Sequence, residues 1–498
     1  MKSLLILLLL VTTVLSSGAQ KVFDFNGQCQ QAYNEIISLK LGSGQMIINA
    51  EKAKNPSNLI PVLLENYIDF FTLFFNEDPA EYKNRSSLKD KRLNLLSTGP
   101  KNSPYYLFSL ALVHFQWAVV QIKFGDNWNA GWEFRRAFIQ VRDNETKFPG
   151  FLPNQMYRGA MQVAAGTIPD GYKWLSSLLG IRGSIENGMT NIRSFLKSQD
   201  FSAKLFRNEG IFYYCYLSYY IENNKNGVLQ FIRDEKLDTK NNHLFAYLGT
   251  NLSIHNQQAE QALNYLDSRS DQPGYFATPV WDFEKGYVLM YKADPHAKEY
   301  FKNFVQNFKG KFYLKDALQK ISWLYYLDGD MDRANYYRQL VLTRGGAESE
   351  ADKQALQEAK TSAWPDKLLL RARLFSDGGY QREALRLLHG KSANDFNGEA
   401  NKLEFYYRTA RVYDESGNDD EALRFYSYAL SAGASRREYY AARAALQSAF
   451  IYEAKKNYRE AIYWYKKTLS LKDHEFKNSI DQRAKAGIDR VENLMKKK

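Results

Sequence analysis

Ala384, Ala422 and Ala461 follow one another at spacings of 38 and 39 residues, in the segments YQREALRLL, NDDEALRFY and YREAIYWYKK. Twelve residues before each stands another small side chain (Ala372, Ala410, Ala449), and three residues after that an aromatic one (Phe375, Tyr413, Tyr452). Four residues after each opening alanine comes a bulky residue (Leu388, Tyr426, Tyr465), and in two of the three a small one follows at seven (Ala429, Thr468). A period of this length marks a repeat architecture, in which each unit buries its apolar face against its neighbour. Small residues where two helix axes cross closely, large ones filling the gaps and a short polar connection together describe an antiparallel helix hairpin. The acid-rich stretch DESGNDDEAL, within 411–433, then reads as a turn and not as a metal site. Gly417-Asn418 ends one helix, and the aspartates after it suit the positive N-terminus of the next.

This spacing resembles the tetratricopeptide repeat, with longer connections than that family's nominal unit of about 34 residues, and the resemblance covers roughly residues 365–470. Related hairpins are traced upstream in LQKISWLYYLDGDMDRANYYRQL, where Ser322 stands in place of alanine or glycine, and in SLALVHFQWAVVQIKFGDNWNAGWEFRRAF, with Ala118, Gly125, Asp126, Ala130, Phe134 and Ala137. Weaker ones fall around Ala262 and Ala297. The resemblance implies an all-α superhelical array of antiparallel hairpins (a tetratricopeptide-like α-solenoid) whose groove is lined by the first helix of each unit and holds a partner protein or peptide. It places groove-facing residues one after the small crossing residue (Trp323, Arg373, Arg411, Phe450) and three before it (Gln319, Leu369, Tyr407, Leu446). Arg373 and Arg411 would then share a face with Tyr407 and Arg408, a row suited to a carboxylate or an acidic segment. The competing reading pairs these arginines with Asp377 and Glu415 of their own helices, leaving an ordinary solvated surface.

The chain opens MKSLLILLLLVTTVLSSGAQK, in which Lys2, an uncharged run from Leu4 to Leu15 and the small residues Ser17-Gly18-Ala19 read as a cleaved signal peptide over 1–19. The expectation is an exported protein, periplasmic or secreted. The leader and the Lys/Asn/Tyr-rich composition look like those of exported repeat proteins of Bacteroidota, which implies the periplasm. Two cysteines, Cys29 and Cys215, permit one disulfide in an oxidising compartment or remain as buried thiols. The formal charge of +12 comes from 67 basic residues mixed with 55 acidic ones. For an exported chain this points to an acidic protein partner or peripheral association with an anionic outer membrane, and not to nucleic acid.

Between leader and C-terminus the reading divides into a helical block at 20–146, an irregular Pro/Gly-rich joint at 147–190, divergent repeats at 191–345 and the clear repeats at 346–498. The uncharged run from Tyr105 to Ile122 is long enough to cross a bilayer, but Ser109, His114 and Gln116 on it favour a buried repeat helix. Aromatics at helical spacing in IFYYCYLSYYI, 211–221, read as core.

No reaction centre emerges. The six histidines are scattered, there is no Gly-x-Ser-x-Gly or His-Glu-x-x-His, and Asp328, Asp330 and Asp332 imitate a calcium loop only until Arg333 and Gln339 fall where glycine and glutamate belong. The expectation is a non-enzymatic scaffold without cofactor or metal. An accessory subunit of an outer-membrane export or assembly complex, or a periplasmic protein binding small ligands or glycans, stand as alternatives.

Overall fold

Helices in this chain start where a short polar side chain can accept the amides that the first turn leaves free. Asp78 takes Ala80 N, Ser103 takes Tyr105 N, Asp330 takes Arg333 N and Asp366 takes both Leu368 N and Leu369 N. They stop at residues that tolerate a left-handed backbone, as at Gly125, Gly329, Gly379 and Gly417, which have φ between 75° and 88°. The computed structural model describes residues 20–167, 180, 183–361 and 363–496. Among these the regular structure is α-helical apart from a single bridge between Val22 and Asn58 and one short 3-10 turn. The leader lies outside the described residues.

The chain forms two compact units. One takes in the chain up to Leu252 together with Asn264–Trp281 and Gln306–Phe312; the other takes in Ser253–Leu263, Asp282–Val305 and everything from Tyr313 on.

In the C-terminal unit, antiparallel pairs succeed one another: Leu314–Leu327 with Met331–Thr343, Lys367–Asp377 with Gln381–Leu388, Glu399–Glu415 with Asp419–Gly433, and Tyr440–Ala454 with Tyr458–Ser470. The fold is all-α and tetratricopeptide-like. Its crossing alanines, 372, 384, 410, 422, 449 and 461, are fully buried, and Tyr426 and Tyr465 fill the gaps beside them. Ser322 keeps the crossing of its hairpin small and places its hydroxyl 2.8 Å from the Ala334 carbonyl, so the one departure from alanine is a satisfied polar contact. The Lys477–Lys496 helix closes this end, burying Ile480, Ala484 and Val491 and exposing its other, charged face, as a terminal cap requires. A Cβ at Gly487 would meet the ring of Tyr465 at 2.3 Å, so only glycine fits there.

The N-terminal unit is built differently. The Pro104–Lys123 helix, long and apolar enough to cross a membrane by composition, is mostly buried among its neighbours. Its polar residues are used inward: Gln116 and Trp117 both bond Asn66 of the Ile60–Asn76 helix, at 2.7 and 2.9 Å, and His114 meets Glu133. Within 147–190, read from sequence as a loose joint, Pro153–Gly166 instead packs tightly on Ile185–Lys197. The glycines make that closeness: a Cβ on Gly159 would lie 2.6 Å from the Gly188 carbonyl, and one on Gly188 would lie 2.5 Å from that of Gly159. The intervening residues 168–179, 181 and 182 are outside the described set. Cys29 and Cys215 are separate buried thiols, and burial first, then the charge of Glu51, pushes Cys29 up to about 12.

Candidate functional site

The first helices of the last hairpins carry arginines and tyrosines toward one another. Arg373 leaves the Lys367–Asp377 helix 3.4 Å from Asp377 and lies over the Trp323 ring at 5.1 Å. On Glu399–Glu415, Arg408 sits 5.6 Å from the ring centres of both Tyr407 and Tyr440, with Nε bonded to Glu404 at 3.0 Å. Its Nη2 is also 3.0 Å from that carboxylate but at an angle that makes no hydrogen bond. One turn on, Arg411 reaches Asp414 at 3.3 Å and also Glu415. Tyr439 and Tyr440 meet at 4.5 Å between ring centres, and each also packs on Tyr407.

Two further arginines continue the row. Arg443, on Tyr440–Ala454, has a buried Nε with no acceptor, and it makes no ion pair among the described residues. Arg483, on the terminal helix, is exposed and likewise meets no carboxylate among them. Although the residue is exposed, partial desolvation of its guanidinium first, and then repulsion from Arg443 and Arg411, hold Arg483 below the ordinary arginine value, against the pull of Tyr407. It remains a cation, but the direction reports the local field: three guanidiniums face a space in which only Arg411 has its own acids. That arrangement suits a carboxylate or another anion, with tyrosine faces alongside for apolar or planar groups.

The sequence-derived positions divide. Arg373, Arg408, Arg411 and Tyr407 come together as a group, and Arg373 and Arg411 both have the partners, Asp377 and Glu415, that the competing reading assigned them. Trp323 is not open to a partner: it is 3% exposed, and its Nε1 donates to Glu358 at 2.5 Å. The cause is the Glu350–Ala359 helix, which packs on Leu314–Leu327 and covers the face that the repeat pattern assigned to the groove. Gln319 is covered by the same helix, Leu369 and Leu446 are core, and Phe450 packs against Tyr465 inside the last hairpin. Arg443 was missed because it lies on the face of Phe450 but seven residues earlier, where stepping back two turns would have found it. Arg483 belongs to a helix without the alanine pattern.

A half-open cavity of about 200 Å3 lies in the same unit, lined by Leu324, Leu327, Leu374 and Phe375 together with Lys298, Asp328 and Arg371. In the last hairpins each first helix packs on the first helix of the next pair; at Leu314–Leu327 the Glu350–Ala359 helix occupies that position. Asp328, at the edge of the cavity, pairs with Lys298, and Asp330 caps the next helix. No group of three or more His, Cys, Asp or Glu placed to hold a metal occurs among the described residues.

No protein-family model matches the chain, and no curated protein matches it either. Among solved structures it is similar to the crystal structure of the P58(IPK) tetratricopeptide domain, at 14% identity over 87% of this chain and 98% of that one, with a TM-score of 0.22. So low a score gives the likeness no weight here, and the repeat character rests on the hairpins themselves.

Proposed function

We propose that this protein is a non-enzymatic scaffold of a bacterial cell envelope, exported by its leader, that holds an acidic segment of a partner protein against the arginine and tyrosine row of its C-terminal unit. The observation that carries the reading is the pair Arg443 and Arg483, two cations without carboxylates among the described residues, placed beside Arg411 and Tyr407. Cations gathered on one face without acid partners attract an anionic segment and set its orientation. The leader-like segment and the repeat fold support the envelope and scaffold parts; service to an outer-membrane export or assembly complex is one form the scaffold can take.

The test is fluorescence anisotropy of the mature chain with a short fluorescein-labelled poly-glutamate peptide, and with poly-lysine as control. Binding of the acidic peptide should weaken with added salt, and Arg443→Glu with Arg483→Glu should weaken it by about tenfold or more while leaving the melting temperature near wild type. Equal binding of poly-lysine, or no response to the charge reversal, would sink the proposal.

A small-ligand reading has one specific support, the cavity of about 200 Å3. That is room for a small ligand that sets an apolar group against Leu324, Leu374 and Phe375 and a polar or anionic group against Lys298 and Arg371. A thermal-shift screen with small aromatic and aliphatic acids separates the readings, because only a cavity ligand should raise the melting temperature in a way that Leu374→Trp abolishes.

A further inference from the structure

At the centre of the N-terminal unit a single carboxyl group, Glu209, is surrounded by four phenols from four helices. Tyr33 of Gly27–Ile37 lies 2.9 Å from Glu209 Oε2, and Tyr67 of Ile60–Asn76 lies 3.1 Å from the same oxygen. Tyr157 of Pro153–Gly166 bonds Oε1, and Tyr213, one turn along from Glu209, lies 3.3 Å from Oε1. Tyr67 and Tyr157 also meet each other, at 2.7 Å between hydroxyl oxygens. Glu209 is in no ion pair among the described residues. The neighbouring faces are apolar: Phe108 and Phe115 of Pro104–Lys123 pack on Tyr157, Phe206 on Tyr33, and Phe195 of Ile185–Lys197 faces Gly210. The nearest charged side chains on these helices are engaged elsewhere, His114 with Glu133 and Arg207 with the Leu196 carbonyl and Glu235.

Count the protons. Five oxygen–oxygen contacts need five hydrogens, and four phenols supply four. With Glu209 ionised, one contact of the ring Glu209–Tyr67–Tyr157 sets lone pair against lone pair. With Glu209 protonated every contact is filled: Oε2–H donates to Tyr67, Tyr67 donates to Tyr157, Tyr157 donates to Oε1, while Tyr33 and Tyr213 donate to Oε2 and Oε1. We infer that Glu209 is kept as a neutral carboxylic acid that closes this ring, making it a proton-dependent latch joining four helices of the N-terminal unit. Burial, the largest influence, pushes the carboxyl titration upward; the four phenol bonds oppose it without reversing it. The sign follows. A carboxyl whose folded titration lies above its unfolded one gives stability that is fully present below the ordinary carboxyl range and is lost as pH rises through the folded value.

Glu209→Gln is the direct test, because an amide keeps the ring closed without a proton to lose: Nε2 donates to Tyr67 and, with the direction of that bond reversed, to Tyr33, while Oε1 accepts from Tyr157 and Tyr213. Urea unfolding of the full chain, followed between about pH 5 and about pH 9, should show the wild-type unfolding constant rising at least tenfold relative to that of the variant. The variant should equal or exceed wild type at the alkaline end. Parallel pH dependences of wild type and variant would overturn the inference; if the variant does not fold, the wild-type measurement that follows decides. Infrared spectra of wild-type protein carrying 13C-glutamate give a second reading that needs no variant: a protonated-carboxyl band from a buried glutamic acid at neutral pH is expected, and its absence overturns the assignment.

Discussion

The two units reach the same secondary structure by different routes. In the last three hairpins of the C-terminal unit the crossings are made by alanines and the gaps by Leu388, Tyr426 and Tyr465, one set per hairpin. In the N-terminal unit charged and amide side chains lie inside: Asp69 between Arg85 and Arg92, Glu133 among His114, Lys89 and Arg136, Asn66 between Gln116 and Trp117, and Glu209 among four phenols. A core of small and large apolar residues can be reused repeat after repeat, since packing is indifferent to which hairpin it joins. A polar knot must be satisfied group by group, so each occurs once and fits one place.

The sharpest break of that contrast is to remove one member of a polar knot. Asp69 is 2% exposed and takes both Arg85 and Arg92, so Asp69→Ala leaves two guanidiniums facing each other, one of them buried. The expected loss is about 3–5 kcal/mol in urea unfolding of the N-terminal transition. Overfilling a repeated crossing should be milder: Ala422→Leu, at a fully buried site against Ala410, should cost about 1–3 kcal/mol and act on the C-terminal transition. Reversal of that order would mean that the knots are less essential than their burial implies.

Acid distinguishes the units in a second way. Burial alone would raise Glu133, but bonds from His114 and Lys89 outweigh it and hold the carboxyl at about 2. A depressed carboxyl contributes stability that is present above the ordinary value of about 4.5 and is lost as pH falls from there toward 2. The loss should be roughly 3 kcal/mol in the N-terminal unit, and Glu133→Gln should flatten the acid limb of its stability curve. Glu209 slopes the other way, so the N-terminal unit should have its stability maximum at mildly acidic pH.

The same difference explains what could be read from the sequence. Ala384, Ala422 and Ala461, with Tyr426 and Tyr465, announce the hairpins because packing at a crossing depends on size, and size recurs along the chain. The Arg373, Tyr407, Arg408 and Arg411 row follows from the same register. Trp323 does not, because whether a groove position stays open depends on what covers it, and the Glu350–Ala359 helix that does so carries no repeat pattern. Gly159 and Gly188 look like breakers in a linear reading and become a helix contact only when both partners are placed. The knot around Glu209 joins residues 33, 67, 157 and 209, separations at which no local pattern exists.

The smallest effect tests the turn that first suggested a metal. Asn418, between Gly417 at φ 75° and the Asp419–Gly433 helix, accepts the Glu421 amide at 3.3 Å, while Asp419 pairs with Lys455 at 3.1 Å and Asp414 takes the Tyr426 hydroxyl at 2.7 Å. Asn418 thus starts a helix, while Asp414 and Asp419 are engaged with Tyr426 and Lys455. Asn418→Ala removes one cap and should cost about 1 kcal/mol in the C-terminal transition, whereas Asn418→Gly should cost only a few tenths, because glycine tolerates the same backbone. Calcium should leave both wild type and variant unmoved in the same titration. A calcium-dependent rise in wild-type stability that Asn418→Ala abolished would turn the turn back into a site, and would mean that the acids between the last hairpins do more than join their helices.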